Sequence, residues 1–194
     1  MPALLIYIHG FLSSPLSIKA VEVQAFIKQQ KLAVDVMTPQ LSSYPGEAYQ
    51  QLSMLITEQQ QSYRQIVLVG SSMGGFYATL LAEKFGLKAV LVNPVVSPDK
   101  LMADYLGQHE NPYTGQKFCL TDRHINELRD MSLETLTRPD NYWLMAQQGD
   151  ETLDYRLAVG FYHHCPQLVE PAGSHRFDNF KNHLPDVMKF LELV

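Results

Sequence analysis

Short, almost wholly apolar runs alternate along this chain with segments whose apolar residues return every three or four positions, and few folds accommodate that rhythm. Ala3–Ile8 is the first run, closed by Gly10. A run so short and so apolar reads as a strand buried on both faces, as in a parallel sheet. Residues 65–69, 89–92 and 142–146 read in the same way, and residues 32–37 and Gln167–Glu170 are further strand candidates. Between them, Ile18, Val21 and Ala25 follow Ser17, a candidate N-cap, in a helix expected to reach Gln30. Ala48, Leu52, Leu55, Ile56 and Gln59 trace one helical face, and Met73, Phe76, Tyr77, Leu80 and Leu81 trace another that stops at Gly86. Helices are also expected at about residues 152–164 and 185–193. Repeated strand–helix–strand crossovers imply a mostly parallel sheet with helices on both faces, and such sheets bind ligands at the carboxyl ends of their strands.

One stretch breaks the rhythm. Residues 97–138 separate two strand candidates and are more polar, with Ser97-Pro98 as N-cap and first helical position, Gly107 as a stop and a second short helix after Thr121. So long an excursion is expected to hang over the strand ends as a small helical cap within a single domain spanning residues 1–194.

Composition narrows the function. With 194 residues, 46% of them hydrophobic, one core can form without staples. The two cysteines, Cys119 and Cys165, form no framework and suit a reducing, cytoplasmic setting. A net charge of −5 offers no basic stripe for nucleic acid. The first residues carry no basic leader, and the opening apolar run is too short for a membrane span, so neither export nor a membrane role is expected.

The chemistry concentrates at Gly70-Ser71-Ser72-Met73-Gly74, set between a buried strand and an amphipathic helix. A serine at such a turn is held in a strained backbone with its hydroxyl above the sheet, and Ser72 would also stand at a helix N-terminus, which favours developing negative charge. With 11 glycines and 12 serines in 194 positions, chance supplies roughly 0.04 Gly-x-Ser-x-Gly matches even without that context. Ser71 occupies an x position and should point away. A serine nucleophile needs a base, and the base an orienting acid. His175 follows the last strand candidate in a small-residue loop, and Asp150 follows the strand that ends near Ala146. Asp154, four residues on, is expected inside the next helix. For an oxyanion, one N–H should come from Met73 and a second from Phe11, in the His9-Gly10-Phe11 loop after the first strand. Asn93 either bonds the loops around the site or caps its strand, and the cap is the favoured reading. His163 and His164 read as surface residues at a helix end, and His9, His109, His124 and His183 have no evident partner. No metal site is expected.

The order Ser72, Asp150, His175 is that of α/β-hydrolases. Taken with His9-Gly10-Phe11, the run from Gly70 to Thr79, Val92-Asn93-Pro94, the run from Gly149 to Tyr155 and Gly173-Ser174-His175-Arg176-Phe177, the chain resembles the YqiA-type esterases, short bacterial α/β-hydrolases, over nearly its whole length. The resemblance implies a compact α/β-hydrolase that starts at what larger members call the third strand. It further implies cofactor-free serine esterase activity on carboxylic or thioester acyl groups, carried by Ser72, Asp150 and His175. The oxyanion loop has one glycine, Gly10, where lipases have a longer run, which argues against large lipid substrates. The expected partner is a small ester or thioester. The readings kept beside it are an acyl-CoA thioesterase and a binding protein on the same scaffold, since a fold alone does not prove chemistry.

Overall fold

The computed structural model describes residues 1–194. Its strands are β1 (Ala3–Ile8), β2 (Val34–Met37), β3 (Gln65–Ser71), β4 (Lys88–Val92), β5 (Gly107–Glu110), β6 (Lys117–Leu120), β7 (Tyr142–Gln147) and β8 (Gln167–Glu170). Its helices are α1 (Ile18–Gln29), α2 (Pro45–Gln59), α3 (Met73–Phe85), α4 (Pro98–Ala103), α5 (Asp122–Met131), α6 (Tyr155–Phe161) and α7 (Leu184–Phe190).

Six strands pair in parallel in the order β2-β1-β3-β4-β7-β8. Residues along each strand alternate between two cores. Leu4, Ile6 and Ile8 of β1 pack with Leu52 and Ile56 of α2, Leu81 of α3 and Ala158 of α6. Ala3, Leu5 and Tyr7 pack on the opposite face with Ala20 and Val23 of α1 and Val187 and Met188 of α7. From β1 the chain moves outward to β2 through α1, then crosses back through α2 to β3 on the other side of β1. The carboxyl ends of β1 and β3 therefore flank a point where the winding reverses, and loops leaving adjacent strands diverge there to open a crevice.

Several boundaries differ from the sequence expectations, each for a local reason. α6 begins at Tyr155 because Asp154 is its N-cap, its carboxylate accepting from the Arg156 amide, and not an interior residue. Ser17 precedes α1 but makes no side-chain cap bond. α4 stops at Ala103, and Gly107 opens β5 instead of closing the helix. Between α4 and α5, β5 and β6 form an antiparallel ribbon that the polar pattern did not reveal, so the excursion of residues 97–138 is part helix and part ribbon. No helix is long and apolar enough to cross a membrane.

Candidate active site

Ser72 sits between β3 and α3 with φ of 56°, in the left-handed region. A non-glycine residue held there costs on the order of 1–3 kcal/mol, so its surroundings must enforce it. They do so through the backbone: the Ser72 amide donates to the Val92 carbonyl, and the Ser72 carbonyl accepts from the amides of Gly75 and Val95. The helix can turn away this sharply only because Gly74 has no side chain. A Cβ there would fall on the Ile8 carbonyl, and one at Gly70 on the Gly74 carbonyl. Ser71 ends β3 as a buried residue.

His175 and Asp150 arrive from the carboxyl ends of β8 and β7. Asp150 Oδ2 accepts from His175 Nδ1 at 2.8 Å, and since a carboxylate only accepts, Nδ1 carries the proton and Nε2 is left to accept from Ser72 Oγ at 3.0 Å. The Asp150 side chain is 1% exposed and that of His175 21%. Asp150 Oδ1 is saturated by the amides of Thr152 and Leu153, both at 2.8 Å, so the carboxylate cannot rotate away from the imidazole. The three residues expected from the sequence converge on one line of hydrogen bonds.

The amides of Phe11 and Met73 donate to no protein acceptor. Met73 is the first residue of α3, where such donors are orphaned. Gly10 lies against Ser72 closely enough that a Cβ on it would come within 3.3 Å of the serine Cβ. Two residues with free amide donors thus flank Ser72, Met73 next to it in the chain and Phe11 next to the Gly10 that packs against it.

Sequence reasoning left the supports of this line unassigned. His9 has partners: buried at 3% exposure, its Nε2 accepts from the Leu41 amide at 3.4 Å and its Nδ1–H donates to the Gly10 carbonyl at 2.8 Å. Burial holds this imidazole below its ordinary range, so it is a neutral tie between the Gly10 loop and the loop after β2. Asn93 bonds loops and does not merely end its strand, which reverses the favoured reading. Its amide group donates to the carbonyls of Ser174 and His175 at 3.0 and 3.1 Å while its carbonyl accepts from the Gln147 amide. Gln147, passed over in the sequence, accepts from the Ser174 and Asp178 amides and donates to Glu170. Its signal was present, since a buried polar residue closing an otherwise apolar strand must find partners. Glu151 accepts from the His175 amide at 2.9 Å, a bond that keeps its carboxyl below the usual range. Lys19, its amine brought down to about 8 by burial, donates to the Arg176 carbonyl at 2.7 Å.

Of the remaining histidines, all but His164 make a hydrogen bond or an ion pair, His163 to the Gly160 carbonyl. His109 bonds the Tyr105 carbonyl, His124 completes a capping box with Thr121, and His183 pairs with Glu170. His163 and His164 lie in the turn past α6, exposed, with ring centroids 3.8 Å apart.

A family model described as "Uncharacterised protein family (UPF0227)" matches residues 4–192. A UPF0227 protein of Serratia proteamaculans (strain 568) is 27% identical over 195 residues, 98% of this chain and 99% of its own. The UPF0227 protein YE1706 of Yersinia enterocolitica is 26% identical over the same shares. Among solved structures, Est1E from Butyrivibrio proteoclasticus, with ferulic acid bound, superposes with a TM-score of 0.73 at 17% identity, over 100% of this chain and 89% of that one. Mouse alpha/beta hydrolase domain-containing protein 10 gives 0.72 at 18%, over 97% and 89%. The fold is that of the α/β-hydrolases, in agreement with the resemblance read from the sequence.

Proposed function

Because this chain belongs to the UPF0227 family and carries an α/β-hydrolase fold, we propose that it is a serine hydrolase acting on carboxylic esters, with Ser72 as nucleophile, His175 as general base and Asp150 orienting the base. The single observation that carries this reading is the unbroken line from Asp150 Oδ2 through both ring nitrogens of His175 to Ser72 Oγ. Such a line is what an alcohol needs to become a nucleophile near neutral pH.

Ser72 Oγ bonds to the acyl carbon as its proton passes to His175 Nε2. The carbonyl oxygen, now negative, takes the amides of Phe11 and Met73. The bond to the leaving alcohol breaks, and His175 returns the proton to that alcohol. Water then attacks the acyl-Ser72 ester by the same route in reverse and releases the acid. Asp150 remains ionised throughout and steadies the imidazolium. Residues 97–138 serve as a cap on a single-domain enzyme that acts in the cytoplasm on a small ester without a cofactor; the two free thiols suit that compartment.

Hydrolysis of p-nitrophenyl esters from acetyl upward, beside a matched acyl-CoA set, tests the reading. Ser72→Ala is expected to lower kcat by at least about 10⁴-fold, and Asp150→Asn, which favours the wrong tautomer, by roughly 10⁴-fold. Undiminished turnover in Ser72→Ala would assign the chemistry elsewhere. A set of acyl-CoA substrates preferred over the esters would make the enzyme a thioesterase on the same residues, and no Ser72-dependent turnover of either set would leave a binding protein.

A further inference from the structure

Next to the candidate nucleophile lies a small cavity of about 20 Å³ bounded by Gly10, Phe11 and Met73 on the serine side, by Ser43 from the loop after β2, and by Met102 and Asn111 from the 97–138 excursion. A Cβ placed on Gly10 would lie 3.7 Å from Ser72 Oγ, so Gly10, which walls the cavity, also faces the reacting hydroxyl. Ser43 is 6% exposed, and its hydroxyl is buried without a hydrogen-bond partner. Of the other polar groups on the wall, Ser42 Oγ donates to Glu47 and Asn111 Oδ1 accepts from the amides of Tyr113 and Thr114, while the hydroxyls of Ser13 and Tyr77 bond to no protein group and Ser43 is the hydroxyl most completely closed off from solvent.

We propose that this cavity is the acyl pocket of the enzyme, that it takes short acyl groups bearing a hydroxyl, as in esters of small 2-hydroxy acids, and that Ser43 determines this specificity. The inference rests on the serine-hydrolase reading above. Three observations carry it. The cavity borders both residues whose amides would hold the carbonyl oxygen, whereas His175, which must reach the leaving alcohol, does not line it, and this puts the acyl side of the substrate in the cavity. Its volume is near that needed by one water, enough for a hydroxyl-sized group and far too small for a long chain. A buried hydroxyl with no partner is costly to keep, and the cost is recovered when a ligand group bonds to it. A site built in this way rejects an analogue that lacks the polar group.

Methyl glycolate and methyl propionate differ only by a hydroxyl in place of a methyl. Their kcat/KM ratio, compared between wild type and Ser43→Ala, cancels the intrinsic difference in ester reactivity. The ratio is expected to fall at least tenfold in Ser43→Ala, whose melting temperature should equal or exceed that of wild type because no protein bond is lost. In wild type, methyl acetate should be turned over faster than methyl octanoate. An unchanged ratio, or faster turnover of the octanoate, overturns the inference while Ser72-dependent hydrolysis still stands. If these esters are hydrolysed equally by Ser72→Ala, the serine-hydrolase reading fails instead.

Discussion

His9 was unplaced in the sequence and is a hinge pin of the site. Its two ring nitrogens tie Gly10 to Leu41, and the tie needs a neutral ring, because a protonated Nε2 would turn a donor against the Leu41 amide. Burial lowers its proton affinity in the folded protein. The unfolded chain therefore takes up that proton at a higher pH than the folded one, and the contribution is lost as pH falls through about 6.5. In urea melts between pH 8 and pH 5.5, wild type should lose stability on the acid side. A His9→Asn variant should start lower at pH 8 and lose less over the same interval, and equal losses in the two proteins would assign the acid sensitivity to other groups. Asp150 and Ser72 were legible because each belongs to a short motif with a mechanism. His9, Asn93 and Gln147 were not, since their partners come from residues distant in the chain.

The β5–β6 ribbon is the element that the sequence concealed, because each strand has four residues and a mostly polar outer face. Its inner face carries Phe118, whose ring meets Phe11 at 6.0 Å and Tyr44 at 6.1 Å, both edge-on, while Tyr105 meets Phe11 at 5.6 Å. Phe11 is the residue whose amide is proposed to hold the oxyanion, so the ribbon braces the loop that presents it. Phe118→Ala should cost about 3 kcal/mol in a urea melt and lower kcat on the order of tenfold or more as the loop loosens. Cys119→Ser, on the exposed alternate position of the same strand, should leave both unchanged. A kcat loss without the stability loss, or the reverse, would separate bracing from packing.

Across the molecule, two cores on opposite faces of one sheet hold the strand ends, and thus the loops, in place. That assembly depends on close approach at the crevice. Gly74→Ala puts a methyl on the Ile8 carbonyl, which neither β1 nor α3 can relieve without moving a core. The urea midpoint should drop by the equivalent of more than about 3 kcal/mol. Gly160→Ala in α6 meets nothing within 4 Å and should be neutral or stabilise the helix by up to about 1 kcal/mol. Equal effects of the two changes would mean that helix propensity, not the approach of α3 to β1, governs the loss.

Local patterns were enough to find the parallel sheet and the order of its strands along the chain, because a strand buried on both faces must be apolar throughout and a crossover helix must show its period. They also picked out Ser72, Asp150 and His175, the three residues that the structure joins by hydrogen bonds, because a serine at a strand–helix turn and loops at strand ends are properties of short segments. Long-range packing alone settled which side chains hold those loops, that a ribbon from residues 107–120 rests on Phe11, and that Ser43, its hydroxyl buried, shares a cavity wall with Gly10 and Met73. Each of these depends on atoms from distant parts of the chain meeting within a few ångströms, and no pattern within a single segment encodes such a meeting.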